Sequence, residues 1–177
     1  IQTGDETKIK QGLALAEKFP PDIAKDIRQD RRTEDAIFSL YEGRLSTAFG
    51  PASQHYDIAG ALAQVASLKQ IYPGLARTRD VADALSASRD QEVERLGGEL
   101  TELLAGGQLL PDSNSADVGD VLELVARLNP ASEVLVDARI AQTYTQAANE
   151  AIANERYERA ERVLSAGLRF APSDEGL

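Results

Sequence analysis

Apolar residues recur every three or four positions through most of this chain, and prolines cut that rhythm into segments of helix length. Ile58, Leu62, Val65, Leu68 and Ile71 form one series, and Val118, Val121, Leu122, Val125 and Leu128 form a second. Tyr157, Ala160, Val163, Leu164 and Leu168, with Phe170 beside them, form a third. Such spacing gathers apolar side chains on one side of a 3.6-residue helix. A half-buried strand needs apolar–polar alternation, and no sustained alternation is present. The breaks fall at Phe19-Pro20-Pro21-Asp22, Phe49-Gly50-Pro51, Tyr72-Pro73-Gly74, Asn129-Pro130 and Ala171-Pro172-Ser173-Asp174, with a loop from Gly106-Gly107 to Ser115. Proline lacks an amide hydrogen and disfavours helix at the residue before it, so each of these marks a helix boundary. Hydrophobic residues make up 42% of the chain and aromatics only 5%. The core material is therefore mostly Ala, Leu, Val and Ile, which lets helices approach closely.

Three helices end alike, at Leu68-Lys69-Gln70-Ile71-Tyr72-Pro73, Val125-Ala126-Arg127-Leu128-Asn129-Pro130 and Gly167-Leu168-Arg169-Phe170-Ala171-Pro172, each with an apolar residue two before the proline. Recurrent helix pairs with a closing proline are a solenoid pattern. Within the last of them, residues 141–174 resemble one tetratricopeptide repeat (TPR). Tyr144 stands at the large aromatic position of the first helix and Ala148 at its small position. Tyr157 opens the second helix, Ala160, Leu164 and Gly167 follow as small, large and small, and Pro172 is the closing proline. Small residues admit the neighbouring helix and large ones fill the space between. Ala147 and Ala151 depart from the pattern, replacing its usual leucine and tyrosine. The earlier units diverge further: Val118, Leu122 and Val125, and Ala61, Val65 and Leu68, carry a large residue at the last position, and the connectors at residues 43–54 and 106–115 are long.

The resemblance implies an all-α chain, a right-handed α-solenoid of antiparallel helix pairs around one continuous core. Residues 1–21 are expected to be an N-terminal cap, 22–73 and 74–130 divergent helix-pair units, and 131–177 the best-matching TPR unit. Residues 75–105 read as one long helix that Gly97-Gly98 can kink or divide, and residues 131–154 as an uninterrupted helix. Long first helices resemble the divergent repeat arrays of bacterial exported or membrane-anchored multidomain proteins, which implies a periplasmic or exported setting. The chain opens Ile1-Gln2-Thr3-Gly4 and has no Met, and is expected to be a piece of something longer.

Charge and composition narrow the chemistry. Lys and Arg total 19 against 29 Asp and Glu, a formal charge of −10, which repels nucleic acid and anionic lipid and serves either solubility or a basic partner. No cysteine is present, so disulfides, thiolate catalysis and thiolate metal sites are excluded. No apolar run approaches the ~20 residues of a membrane span. His55 is the only histidine. It has no recognisable nucleophile near it in sequence and reads as a helix-entry residue after the Gly-Pro loop. Asp112, Asp117 and Asp120, with Ser113, Asn114 and Ser115, lack the glycine and glutamate of a calcium loop and read as a capped connector. Arg28, Arg31 and Arg32 are interleaved with Asp26, Asp30, Glu34 and Asp35 and read as a solvated helix face. The glycine pairs follow no strand and carry no phosphate-loop pattern.

In TPR proteins the first helices line a concave groove that holds a partner's peptide. Carried over by position, the groove residues here are Gln142, Thr145, Gln146, Asn149 and Ile152. Asn149 stands where many such repeats hold an asparagine that bonds the peptide backbone, and the uncharged Thr145 and Gln146 do not suit a clamp for a terminal carboxylate. The expected function is a protein–protein interaction scaffold or adaptor within a larger protein, with no catalysis, cofactor or metal. The alternative is a structural or self-associating domain, with a homodimer as its simplest form.

Overall fold

The computed structural model describes residues 6–111 and 116–170, apart from the side chains of residues 6, 8–10, 13 and 28. The fold is all-α, with eight α-helices among the described residues and one two-stranded ladder of two residues per strand. By contact density the chain divides into two compact units, Ile1–Leu85 and Ser86–Leu177. The division falls inside a helix.

The first unit contains α1 (Glu6–Ala16), α2 (Pro21–Gln29), α3 (Arg31–Ala48), the ladder of β1 (Phe49–Gly50) with β2 (His55–Tyr56), α4 (Ile58–Ile71) and the start of α5 (Ala76–Ala105). Its core joins Ile37, Phe38 and Tyr41 of α3 to Leu68 of α4 and to Tyr72 just beyond it. Phe38 and Tyr72 stack with ring centroids 5.7 Å apart, and the Arg77 guanidinium lies over the Phe38 ring at 4.2 Å while pairing with Asp35 at 2.7 Å. Burying each large side chain contributes about 1.5–3 kcal/mol. The Tyr41 hydroxyl shares a 2.9 Å hydrogen bond with Ser67 Oγ, so the polar end of a buried ring is satisfied.

Two features of this unit depart from the sequence reading. The interleaved charges of residues 26–35 do not form one helix face. The chain breaks at Asp30, whose carboxylate accepts hydrogen bonds from the Thr33 amide at 3.0 Å and the Thr33 hydroxyl at 3.1 Å, capping α3. Arg31 and Arg32 then begin the new helix, and the Arg28 side chain lies outside the described residues. The connector expected at residues 43–54 is also shorter. α3 runs through Gly43 to Ala48, because the exposed Gly43 is tolerated in a helix, and Ser46 and Thr47 turn their hydroxyls back onto its carbonyl, each at 2.9 Å.

The second unit takes the rest of α5, then α6 (Val118–Leu128), α7 (Ala138–Ala153) and α8 (Tyr157–Phe170). α5 is a single helix of 30 residues. Gly97-Gly98 neither divides it nor ends it: Leu96 and Leu100 beside the pair are buried and hold this stretch helical. The helix expected over residues 131–154 begins only at Ala138. Asn129 accepts from the Ala131 amide, Ser132 from the Val134 amide and Asp137 from the Arg139 amide. These side chains compete for the backbone donors, so a 3-10 turn at Glu133–Val136 precedes the helix. The boundaries expected at residues 73 and 130 fall in the turns after α4 and α6. The closing turn expected at Ala171-Pro172-Ser173-Asp174 lies outside the described residues.

α4 and α6 are set in place the same way, each within its own unit. Each is capped by an aspartate that accepts from the third amide of its helix: Asp57 from Gly60 at 2.8 Å, Asp117 from Asp120 at 3.0 Å. At the start of each helix the chain bonds back to the segment before it, through Asp57 N–H to the Ala48 carbonyl at the end of α3 at 2.9 Å and Val118 N–H to the Gln108 carbonyl just beyond α5 at 3.1 Å. Each ends with the residue before a proline donating four residues back, Tyr72 to Leu68 and Asn129 to Val125.

Candidate partner-binding face

The helical hairpin of α7 and α8 carries the residues singled out in the sequence. Its first helix starts at Asp137, whose carboxylate caps it and is held below the usual carboxylate range, first by the hydrogen bonds of the Arg139 guanidinium and then by the Arg139 amide. The reversal is made at Asn154-Glu155-Arg156. Glu155 adopts a left-handed conformation (φ 57°), and the Glu155 and Arg156 amides donate to the Ile152 and Ala151 carbonyls at 2.9 and 2.8 Å. That double closure satisfies the last carbonyls of α7 and turns the chain straight into α8.

Inside the hairpin, Ile140, Ala141, Tyr144, Ala148 and Ala151 of α7 are buried, as are Ala160, Val163 and Gly167 of α8. The small side chains at 148, 151, 160 and 167 let the two helices pack closely. Tyr144 is 0% exposed, and its hydroxyl donates to the Leu109 carbonyl at 3.0 Å, tying α7 to the connector that leads toward α6. Burial, and secondarily the Asp117 carboxylate, push its phenol from 10.0 up to about 12.

The opposite side of α7 carries Gln142, Thr145, Gln146, Asn149 and Ile152, spaced three, one, three and three residues apart so that they share one face. Thr145 is half-buried and the other four are exposed. The Gln146 amide donates to Glu150 Oε1 at 2.9 Å. Ile152 is 46% exposed, an apolar side chain at the end of a polar strip. All five predicted residues are thus brought together on one helix. The strip offers amide donors and acceptors, a hydroxyl and one apolar contact, groups that suit a peptide backbone with a hydrophobic side chain.

His55 lies on the way into a helix, two residues before its cap. It sits in β2, paired with Gly50, while Asp57 caps the helix that follows. It borders an open depression of about 990 Å³ in the first unit, together with Ser39, Arg44, Thr47, Gln54 and Gln64. The extension of α3 to Ala48 aligns Arg44 and Thr47 with His55, which a loop at residues 43–54 could not have suggested. A second depression of about 560 Å³ lies between the turn after α1 and the turn after α4, lined by Phe19, Pro21, Tyr72 and Leu75. Asp117 and Asp120 form a reciprocal capping pair rather than a calcium loop. Asp112, Ser113, Asn114 and Ser115 lie outside the described residues. Among the described residues no three His, Asp or Glu side chains are grouped to hold a metal ion, and no helix is long and apolar enough to cross a membrane.

Comparison with protein-family models, with curated proteins and with solved structures finds no match to this chain.

Proposed function

We propose that this chain is a protein–protein interaction module, a TPR-like right-handed stack of antiparallel helix pairs that takes up a partner segment on the exposed face of α7 and acts as a scaffold or adaptor within a larger protein. The observation that carries the reading is the division of labour on α7. One side packs on α8 through small residues around the buried Tyr144, and the other presents Gln142, Gln146, Asn149 and Ile152 to solvent. In this reading the polar side chains set the register of the bound segment and Ile152 receives an apolar side chain. No cofactor, metal or chemical step is part of it.

The test is the double substitution Asn149→Ala and Gln146→Ala, made against a partner recovered by pull-down. Both side chains are exposed, so helicity and melting temperature are expected to stay nearly unchanged while affinity falls roughly tenfold or more. Unchanged affinity would move the binding face elsewhere.

Self-association is a second reading, favoured by α8. Tyr157 (65% exposed) and Leu168 (42%) lie three turns apart on one side of that helix, with the half-buried Leu164 between them. A helix side that meets only water is ordinarily polar. Light scattering after size-exclusion chromatography at two concentrations separates the readings. A concentration-independent monomer keeps the α7 reading, and a stable dimer shifts the weight to α8.

A further inference from the structure

The negative charge of this chain is concentrated in one of its units. Residues 1–85 hold 11 Lys and Arg against 12 Asp and Glu, a net charge of −1, whereas residues 86–177 hold 8 against 17, a net charge of −9. A charge that serves solubility alone has no reason to gather in one half, and this half carries the α7 face.

Many of its carboxylates are occupied. Arg95 holds Glu92 and Glu99, Arg139 holds Asp137, Arg169 holds Glu123, and Asp117 and Asp120 cap α6. Glu94, Glu102 and Glu133 are exposed and have no cationic partner among the described residues. Glu102 and Glu133 lie toward the start of α7, and Glu94 lies farther back along α5. Arg139 reaches Thr101 Oγ1 at 3.5 Å, which sets this stretch of α5 beside the first turn of α7. Glu94 lies two helical turns before Thr101 on the same side of α5, and Glu102 is its neighbour. Glu133 belongs to the 3-10 turn that leads into α7, and a Cβ at Gly97 would sit 3.3 Å from the adjoining Val134, which fixes that turn against α5. Toward the other end of α7, the Glu150 carboxylate accepts only the uncharged Gln146 amide among the described contacts.

The face therefore has an uncharged centre with one apolar residue and a border of unneutralised carboxylates, the arrangement of an interface core and its rim. Such a border repels an acidic segment and attracts a basic one. We infer that the segment taken up on α7 is basic, an extended or helical stretch that places an apolar side chain against Ile152 and Lys or Arg side chains toward Glu102, Glu133 and Glu150. This inference rests on the α7 reading given above.

The experiment uses the 177-residue chain and two fluorescein-labelled peptides of equal length, one alternating lysine and leucine, the other glutamate and leucine, followed by fluorescence anisotropy at low and high NaCl. The lysine peptide is expected to bind at least about tenfold more tightly and to weaken severalfold as salt screens the border. Glu102→Gln, Glu133→Gln and Glu150→Gln together, which keep side-chain size, should remove most of that preference. Asn149→Ala with Gln146→Ala should weaken the lysine peptide without altering the salt response of what remains. If both peptides bind equally and the double alanine variant weakens both, the α7 face stands and the basic preference is overturned. If the lysine peptide is preferred but the double alanine variant binds it as before, the α7 reading fails and the assignment of a basic segment to that face fails with it. Absence of binding by the lysine peptide overturns the inference.

Discussion

At the scale of single residues, Tyr144 has the most to lose. Its ring fills the hairpin and its hydroxyl is a donor to the Leu109 carbonyl. Tyr144→Phe keeps the ring and orphans that carbonyl, so urea denaturation should show a loss of about 1–3 kcal/mol. The same phenol predicts a pH dependence. Between its ordinary 10.0 and about 12, the folded chain retains a proton that the unfolded chain has released. The stability this contributes is complete below pH 10 and is lost as pH rises through about 12. The difference between wild type and Tyr144→Phe in urea midpoint should accordingly shrink across that window. Ala160, buried against α7, tests the packing register: Ala160→Phe should destabilise the hairpin by about 1–3 kcal/mol through overpacking, read as a lowered melting temperature. Tyr144, Ala148 and Ala160 were legible because large and small residues at helical spacing have one obvious packing use. Asp30 was not. Opposite charges three and four residues apart look the same whether they line one helix or flank a capped break, and only the carboxylate's choice of the Thr33 amide decides it.

The elements repeat that lesson in longer stretches. Prolines announced the ends of α4 and α6 correctly because a missing amide hydrogen leaves little choice. Glycines say less, since Gly97-Gly98 costs helix propensity without forbidding helix, and the long helix read over residues 75–105 stays undivided because the buried leucines of α5 outweigh the pair. The pair is also unequal. Nothing lies within 4 Å of a Cβ at Gly98, whereas one at Gly97 would press on Val134 at 3.3 Å. Gly98→Ala should therefore raise stability by about 0.5–1 kcal/mol, and Gly97→Ala should recover less than that, compared by thermal denaturation of the two variants. The candidate face was legible as five positions on one helix. Its acidic border was not, because Glu102 belongs to a different helix, and Glu133 to a turn that sequence periodicity reads as helix.

For the whole molecule, the uneven charge is the property with measurable reach. Self-repulsion among the carboxylates of residues 86–177 should be relieved by salt, while residues 1–85 are nearly neutral. Hydrogen-exchange protection of α7 and α8 amides is expected to rise with NaCl, with that of α3 and α4 changing little. Equal responses in both pairs would count against a local electrostatic origin. The place where the two units divide has a practical side as well. α5 is about 45 Å of unbroken helix, and the division at Leu85 and Ser86 lies within it. Anyone dissecting the protein meets no linker there: a gene truncated at that point would leave a severed helix with unsatisfied backbone groups, and a protease would find no extended chain to grip. Expression of either half on its own therefore calls for fragments that each include the whole of α5, cut at the turn after α4 or in the loop beyond Gly106.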